Sequence, residues 1–441
     1  MPKNMFEQMQ VAVADLPIIH TVGRVIGVSG GTVQVSGVTD SVRIGDRARI
    51  ALTDRRMAGE VVKLDRDCVH LLMDAETEGV SIEDRVVFRG PTVIEPDDSW
   101  IGWTIDPHGP PIDGKALLPG TSPRRRRAAP PPPAMRRAMG SRLETGMAVF
   151  NTFLPIVQGQ RIGLFAGSGV GKSTLLADLA RGVSADVVVI ALVGERGREL
   201  RHFVDDVLGP QGMARAVVVA ATSDQSPQIR RQCAWSAMAV AEHFRDAGQQ
   251  VLLLVDSVTR FCEAHREVAI AAGEAASLRG FPASTGPAIA ALCERAGPGI
   301  SGVGDITAVF SVLVAGSDME EPVADMLRGV LDGHVVLDRE IAERGHFPAI
   351  NVLRSVSRAL PDAANAQENK LISQARAHLG SYDRAELMIQ SGLYAAGSDA
   401  DIDAAIQYIP ALQDLLKVKD TRGTLAHFAK LRQAMSGGGH M

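Results

Sequence analysis

One short run, Ala166-Gly-Ser-Gly-Val-Gly-Lys172-Ser173, constrains the fold more than any other part of the chain. It stands between an apolar run, RIGLFA, and a helix-forming run, KSTLLADLA. A loop of this pattern wraps backbone N–H groups around phosphates at a helix N-terminus, so a buried strand must lead into it and a helix must lead away. Ala166, Gly167, Ser168, Gly169, Val170, Gly171, Lys172, Ser173 and Thr174 are therefore the candidate phosphate-binding residues. Lys172 is placed to reach the β- and γ-phosphates, and the Ser173 hydroxyl to ligate Mg²⁺, which makes ATP with Mg²⁺ the expected ligand. Ala166 replaces the glycine of the strictest form of the motif. Lysine is scarce here, at 8 of the 46 basic residues, and Lys172 is the one lysine between Lys115 and Lys370. A compact, flexible ammonium suits the inside of a phosphate loop better than a guanidinium fork.

Further apolar runs, VVVIALV, AVVVAAT, VLLLVD, ITAVFSVLVA and HVVLD, alternate with helix-like stretches between Arg161 and Asp338. This alternation predicts a mainly parallel sheet covered by helices, with ligands outside the carboxyl ends of the strands. Asp256 ends one of these runs, where a carboxylate holds Mg²⁺ through water. Glu195 and Arg196 follow another, in Gly194-Glu-Arg-Gly-Arg-Glu199. There Glu195 is positioned to polarise an attacking water and Arg196 to bind phosphate, with a solvated turn as the alternative.

The flanking segments are patterned differently. Met5, Met9, Val13 and Leu16 recur at helical spacing within residues 1–20, which predicts a short helix that either binds a partner or frays. Residues 21–93 carry short β-type runs separated by Gly, Asp and Ser, as in a small β-barrel. Phe6 and Phe88 are the only aromatics before Trp100, so the stacking platforms of single-strand-binding barrels are missing and nucleic acid is not an expected partner. Residues 94–360 are expected to form the nucleotide-binding domain. Residues 361–436 form a helical domain with patterns at Gln374–Leu379, Arg384–Tyr394 and Ile402–Leu416, and 437–441 a disordered tail. Seven arginines between Arg124 and Arg142 have no acidic residue among them, and four consecutive prolines interrupt them. An exposed, extended loop is expected, the alternative being contact with an acidic partner or lipid head groups.

Composition narrows the class. With 46% hydrophobic residues, 22% charged residues and a net charge of −5, the chain has the usage of a soluble globular protein. Cys68, Cys233, Cys262 and Cys293 are too few and too scattered for a disulfide framework, which favours a reducing, cytoplasmic setting. No apolar run approaches the roughly 20 residues that span a bilayer, and the N-terminus lacks the features of a signal peptide.

In order along the chain, GLFAGSGVGKSTLL, ALVGERGREL, LLLVDSVTRF, HREVAIAAGE, RGFP, LCERAG, VLVAGSDMEEPVAD, LRGVLDGHVVLDREIA and FPAINVLRSVSR resemble the bacterial flagellar protein-export ATPases. These are relatives of the type III secretion ATPases and of the F-type ATP synthase alpha and beta subunits. The likeness runs from about Gly23 to Leu431 and includes IDPHGPPIDG. It implies an α/β fold: a RecA-like P-loop NTPase core with an N-terminal β-barrel and a C-terminal helical domain. It further implies a homohexamer that hydrolyses ATP between subunits. By this likeness Glu195 is the catalytic glutamate, Asp256 the Walker B aspartate, and Arg196 and Arg260 lie near the phosphates. Arg358, in SVSR, is the arginine finger that reaches a neighbouring subunit, and Phe347 and Tyr382 fall at adenine-contacting positions. The implied partners are a regulatory subunit on the N-terminal helix, export-gate membrane proteins, a stalk-like protein in the ring and chaperone–substrate complexes. The implied location is cytoplasmic, peripheral to the inner membrane at the flagellar base. PPPAMRR, GERGREL and ERAGPG resemble the flagellar branch; an injectisome ATPase is the alternative. A hexameric nucleic-acid motor and a non-catalytic nucleotide-binding subunit are weaker rivals, opposed by the aromatic-poor barrel and by Glu195. One departure stands out. After Gly273, Ala275, Ala276 and Ala283 replace prolines that stiffen a loop near the central pore in the family.

Overall fold

The computed structural model describes residues 20–314 and 319–436. The helix expected around Met5–Leu16 and the tail at 437–441 lie outside the described residues. The β-type runs form β1 (Thr21–Ser29), β2 (Thr32–Ser36), β3 (Asp46–Ala51), β4 (Arg56–Leu64), β5 (Val69–Met73) and β6 (Arg85–Pro91). They close into an antiparallel barrel in the order β1-β2-β5-β4-β3-β6. Alternation along each strand supplies its core, with Val33, Val35, Ile50, Val61, Leu71 and Val86 fully buried. Closure leaves no free strand edge.

Three two-residue strands follow: β7 (Val93–Ile94), β8 (Thr104–Ile105) and β9 (Arg124–Arg125). β7 pairs with β9, and β8 joins the edge of the main sheet. That sheet is completed by β10 (Arg161–Ala166), β11 (Val187–Glu195), β12 (Ala216–Thr222), β13 (Val251–Asp256), β14 (Ile306–Leu313), β15 (Gly333–Leu337) and β16 (Val356–Ser357). Its order is β16-β15-β10-β14-β13-β11-β12-β8, parallel except where β16 returns beside β15.

The apolar runs are continuous because both faces of this sheet are covered. Along β11, Val188, Ile190 and Leu192 pack with Leu175, Leu176 and Leu179 of the helix Lys172–Gly182. Val187, Val189, Ala191 and Val193 face the helices Pro227–Asp246 and Val258–Ala271 instead. Each fully buried Val, Leu or Ile side chain contributes about 1.5–3 kcal/mol. The sheet is thus a rigid platform for whatever its carboxyl ends present.

Beyond β16 the chain is helical. The expected stretches Gln374–Leu379 and Arg384–Tyr394 belong mainly to one helix, Ala366–Gln390, started by a reciprocal capping box between Asn365 and Glu368. Tyr394 lies past its end. The helices Ala400–Lys417 and Gly423–Met435 follow, the latter not singled out by the sequence pattern. Leu412, Leu415, Phe428 and Leu431 pack into the same cluster as the helix Lys172–Gly182.

The arginine-rich segment is largely exposed and irregular, as its composition predicts, yet it is tied down by carboxylates of the same chain. It is a strap whose charges are mostly matched inside the chain. Arg124 pairs with Asp246 at 2.7 Å, Arg137 with Asp305 at 2.6 Å and Arg142 with Glu368 at 3.5 Å. Arg127 lies 3.6 Å from Glu60 and stacks over Trp235 at 4.1 Å, while Arg126 is only 3% exposed. The acidic partners lie far away in sequence, so composition of the segment alone could not show them. Glu60 of β4, itself 4% exposed, is the hub. It accepts from Gln232 at 2.5 Å and pairs with Arg231 at 3.5 Å, which binds the barrel to the helix Pro227–Asp246.

Candidate active site

β10 delivers the chain to the buried Ala166, and the helix begins at Lys172. Between them Gly169 and Gly171 adopt φ of 79° and 87°, a left-handed conformation that strains any residue with a Cβ. The loop folds tightly over Val170, which is buried, and exposes Ser168, Gly169, Ser173 and Thr174. Unpaired first-turn N–H groups and the helix dipole make this end attractive to phosphate.

Lys172 Nζ donates to Asp256 Oδ1, and Ser311 Oγ donates to the same oxygen at 2.7 Å. Asp256 ends β13 and is 3% exposed, so its carboxylate is held in place from both sides. Ser311 was not among the expected residues. Its signal was available, as a hydroxyl interrupting the apolar run FSVLV. The Asp256–Ser257 peptide is cis. Ser173 and Asp256 supply hard oxygen donors of the kind Mg²⁺ prefers, so the residues fit that ion.

Glu195 ends β11 after Gly194 turns left-handed at φ 71°, where pairing with β12 slips between Val193 and Glu195. Burial, and then the charge of Asp256, pushes its carboxyl up to about 7, with Lys172 opposing the rise and a bond from Glu199 adding to it. A carboxylate with this affinity is suited to exchanging protons near neutral pH.

The arginines are placed differently. Arg196 is 77% exposed and pairs with Glu199 at 3.2 Å. Arg260 pairs with Glu263 at 2.9 Å, and its stem passes beside Gly194, where a Cβ would meet Arg260 Cβ at 3.6 Å. Arg358 is exposed, and its backbone N–H donates to the Asp332 carbonyl at 3.1 Å. Among the described residues its guanidinium makes no hydrogen bond or ion pair. It follows β16, whose Ser357 pairs with Gly333 at the amino end of β15, whereas the phosphate loop leaves the carboxyl end of β10, at Ala166. The structure does not bring Arg358 to the phosphate loop of its own subunit.

Phe347 lies over the loop: its ring carbons are 3.4 Å from where a Cβ on Gly171 would stand, and the residue is 46% exposed. Tyr382 is elsewhere, in a cavity of about 260 Å³ walled by His346, Ile350 and Leu379. No residue of the phosphate loop lines that cavity, and neither does Phe347.

The loop whose prolines are replaced is tied by side chains instead. Both carboxylate oxygens of Glu274 accept from Ser284, from its N–H at 2.9 Å and its hydroxyl at 2.6 Å. His265 Nε2 lies 2.9 Å from the same hydroxyl, and Ala276 bridges Pro282.

Residues 146–357 match the ATP synthase alpha/beta family, nucleotide-binding domain, and residues 364–436 the T3SS EscN ATPase C-terminal domain. The flagellum-specific ATP synthase of Agrobacterium fabrum is 43% identical over 94% of this chain and 88% of its own length. The type 3 secretion system ATPase of Xanthomonas euvesicatoria is 40% identical over 91% of both chains. The solved structure of the assembled ATPase EscN from the enteropathogenic E. coli type III secretion system superposes with a TM-score of 0.87 at 34% identity, covering 94% of this chain and all of that one. EscN in complex with its central stalk EscO gives 0.85 at 35% identity over the same shares.

Proposed function

The chain belongs to the family of flagellum-specific ATP synthases and type III secretion ATPases, enzymes that hydrolyse ATP, and from that premise we propose that it energises flagellar protein export as a homohexamer. One observation carries the reading: Lys172, Asp256 and Glu195 converge at the carboxyl ends of strands β10, β13 and β11. Lys172 moves from Asp256 to the β- and γ-phosphates when Mg²⁺-ATP enters. Ser173 and Asp256 would hold Mg²⁺, which would supply neutralisation of the phosphate charge. Glu195 orients and polarises the water that attacks the γ-phosphate. Arg260 and Arg196 lie on the same rim, where small rotations of their exposed ends meet the nucleotide. Phe347 covers the adenine side. The position of Tyr382 supports a supporting role among the C-terminal helices better than an adenine contact.

Arg358 completes the site of the next subunit. In comparable phosphoryl transfers an arginine finger is worth about 10³–10⁵ in rate, so an isolated subunit is nearly inactive. The titles of the EscN structures, an assembled ATPase and its complex with a central stalk, support a ring with a stalk-like protein for this chain too. A regulatory subunit on the N-terminal segment, export-gate proteins and chaperone–substrate complexes complete the proposed partners, at the cytoplasmic face of the inner membrane. No helix among the described residues is long and apolar enough to cross a membrane. The test is Mg²⁺-dependent ATP hydrolysis by the purified chain, lost in Glu195→Gln with nucleotide binding retained. Rapid turnover by that variant would remove Glu195 from the mechanism. Deleting the gene separates the branches: loss of filaments supports flagellar export, and loss of effector secretion alone supports the injectisome.

A further inference from the structure

Between the barrel and the nucleotide-binding core lies a cavity of about 490 Å³ whose charged walls are mostly cationic. Arg47 and Arg49 of β3, Arg89 of β6 and Arg126 of the strap line it, against a single carboxylate, Asp74. Asp74 is already engaged by Arg47 through both oxygens. Arg49 and Arg89, at the exposed rim, make no hydrogen bond or ion pair among the described residues. Arg126 lies deep, donating to Gln232 at 2.8 Å, but its buried Nε has no partner. His108, also in the wall, accepts from Arg126 at 3.0 Å through Nδ1. Burial, and then the charge of Arg126, pushes the pKa of this imidazole down to about 3, so it stays neutral and keeps a proton on the other ring nitrogen. The neighbouring guanidiniums repel one another; the acidity of Arg49 is raised by its partial burial and then by Arg89, Arg47 and Arg56.

Glu60, Asp106 and Asp74 act on Arg126 and Asp74 pairs with Arg47, so the wall charge left without a partner among the described residues is that of Arg49 and Arg89, which an anion sharing the hollow would offset. We propose that this cavity is a binding site for a compact polyphosphate anion, held by Arg49, Arg89 and Arg126. Guanidinium forks match phosphate oxygens in pairs. The volume falls within the range of small-ligand pockets and is open to solvent at the Arg49–Arg89 rim. The walls come from β3 and β6 on one side and from the strap and Ile229 on the other. A bound anion therefore fastens the barrel to the core, in a cavity that no phosphate-loop residue lines.

The test uses the full chain with one equivalent of Mg²⁺ and ADP per chain, enough to fill the phosphate loop without competing for the cavity, and measures inorganic tripolyphosphate binding by equilibrium dialysis. The wild type is expected to bind saturably. Arg49→Ala with Arg89→Ala should weaken tripolyphosphate by about tenfold or more, leaving ADP affinity unchanged. Arg49→Lys with Arg89→Lys should lose less, because the charge remains. Failure of the nucleotide-filled wild type to bind, or equal binding by the alanine pair, would overturn the proposal.

Discussion

Lys172 and Arg358 stand at opposite strand ends of the same sheet, following strands β10 and β16, which flank β15. Ala166, from which the phosphate loop departs, pairs with Leu337, and Ser357, just before Arg358, pairs with Gly333. The steps from Gly333 to Leu337 amount to about 13 Å of strand, and the loop rises beyond that. Arg358 is therefore out of reach of its own phosphate loop, and the proposed shared site would have each subunit contribute to two sites. Arg358→Ala is expected to keep nucleotide affinity and to lose about 10³–10⁵ in kcat. Steady-state ATPase kinetics beside nucleotide binding measure both.

The pH dependence follows from Glu195. With its carboxyl pushed up to about 7, chiefly by burial, kcat/KM for ATP should rise through that region as the ionised form is gained. The same shift affects folding. Between the ordinary carboxylate range and about pH 7 the native state binds the proton more tightly than the unfolded chain, so stability falls as pH rises through that window. Glu195→Gln removes this penalty. Its melting temperature relative to wild type should be higher at pH 8 than at pH 5; a constant difference would contradict the shifted carboxyl.

Glu60 tests how the barrel is held. Glu60→Ala would leave the buried Arg231 without its carboxylate, a change that costs about 3–5 kcal/mol in comparable buried pairs, and would also remove the partner of the half-exposed Arg127. Denaturant unfolding should show this as a lower midpoint. An unchanged midpoint would mean that water already compensates the arginines.

The loop after Gly273 offers a cleavage assay. Arg279, exposed and at φ 47°, lies on the loop that the Glu274–Ser284 bonds close. Ser284→Ala should speed tryptic cutting at Arg279 without changing ATP binding. Equal cutting rates would show that this clamp does not replace the missing prolines.

What could be read from the sequence was local. The phosphate loop is one contiguous segment between a strand and a helix, so Lys172 and Ser173 were legible residue by residue. Asp256 and Glu195 were legible as charges at the ends of apolar strands. The rest depends on pairings across long separations. Arg124 and Arg127 looked unpaired because Asp246 and Glu60 lie on other elements. The hydroxyl of Ser311 interrupts an apolar run, but its partner, Asp256, emerges only where β14 lies beside β13. Tyr382 was placed by likeness, and the helix Ala366–Gln390 carries it to a different cavity from the loop. The merged helix was missed because its middle, around Gly380, breaks the apolar periodicity while tertiary packing keeps the backbone helical.

The shared site is tested most directly by mixing two inactive variants. Lys172→Ala lacks the phosphate-loop lysine but keeps Arg358, and Arg358→Ala has the reverse defect. Each alone should show almost no ATPase activity. Mixed under conditions that exchange subunits, they should form some interfaces with both residues intact, and activity should reappear well above either parent. Mixed rings, verified by mass, that remain as inactive as the parents would contradict a site built from two subunits.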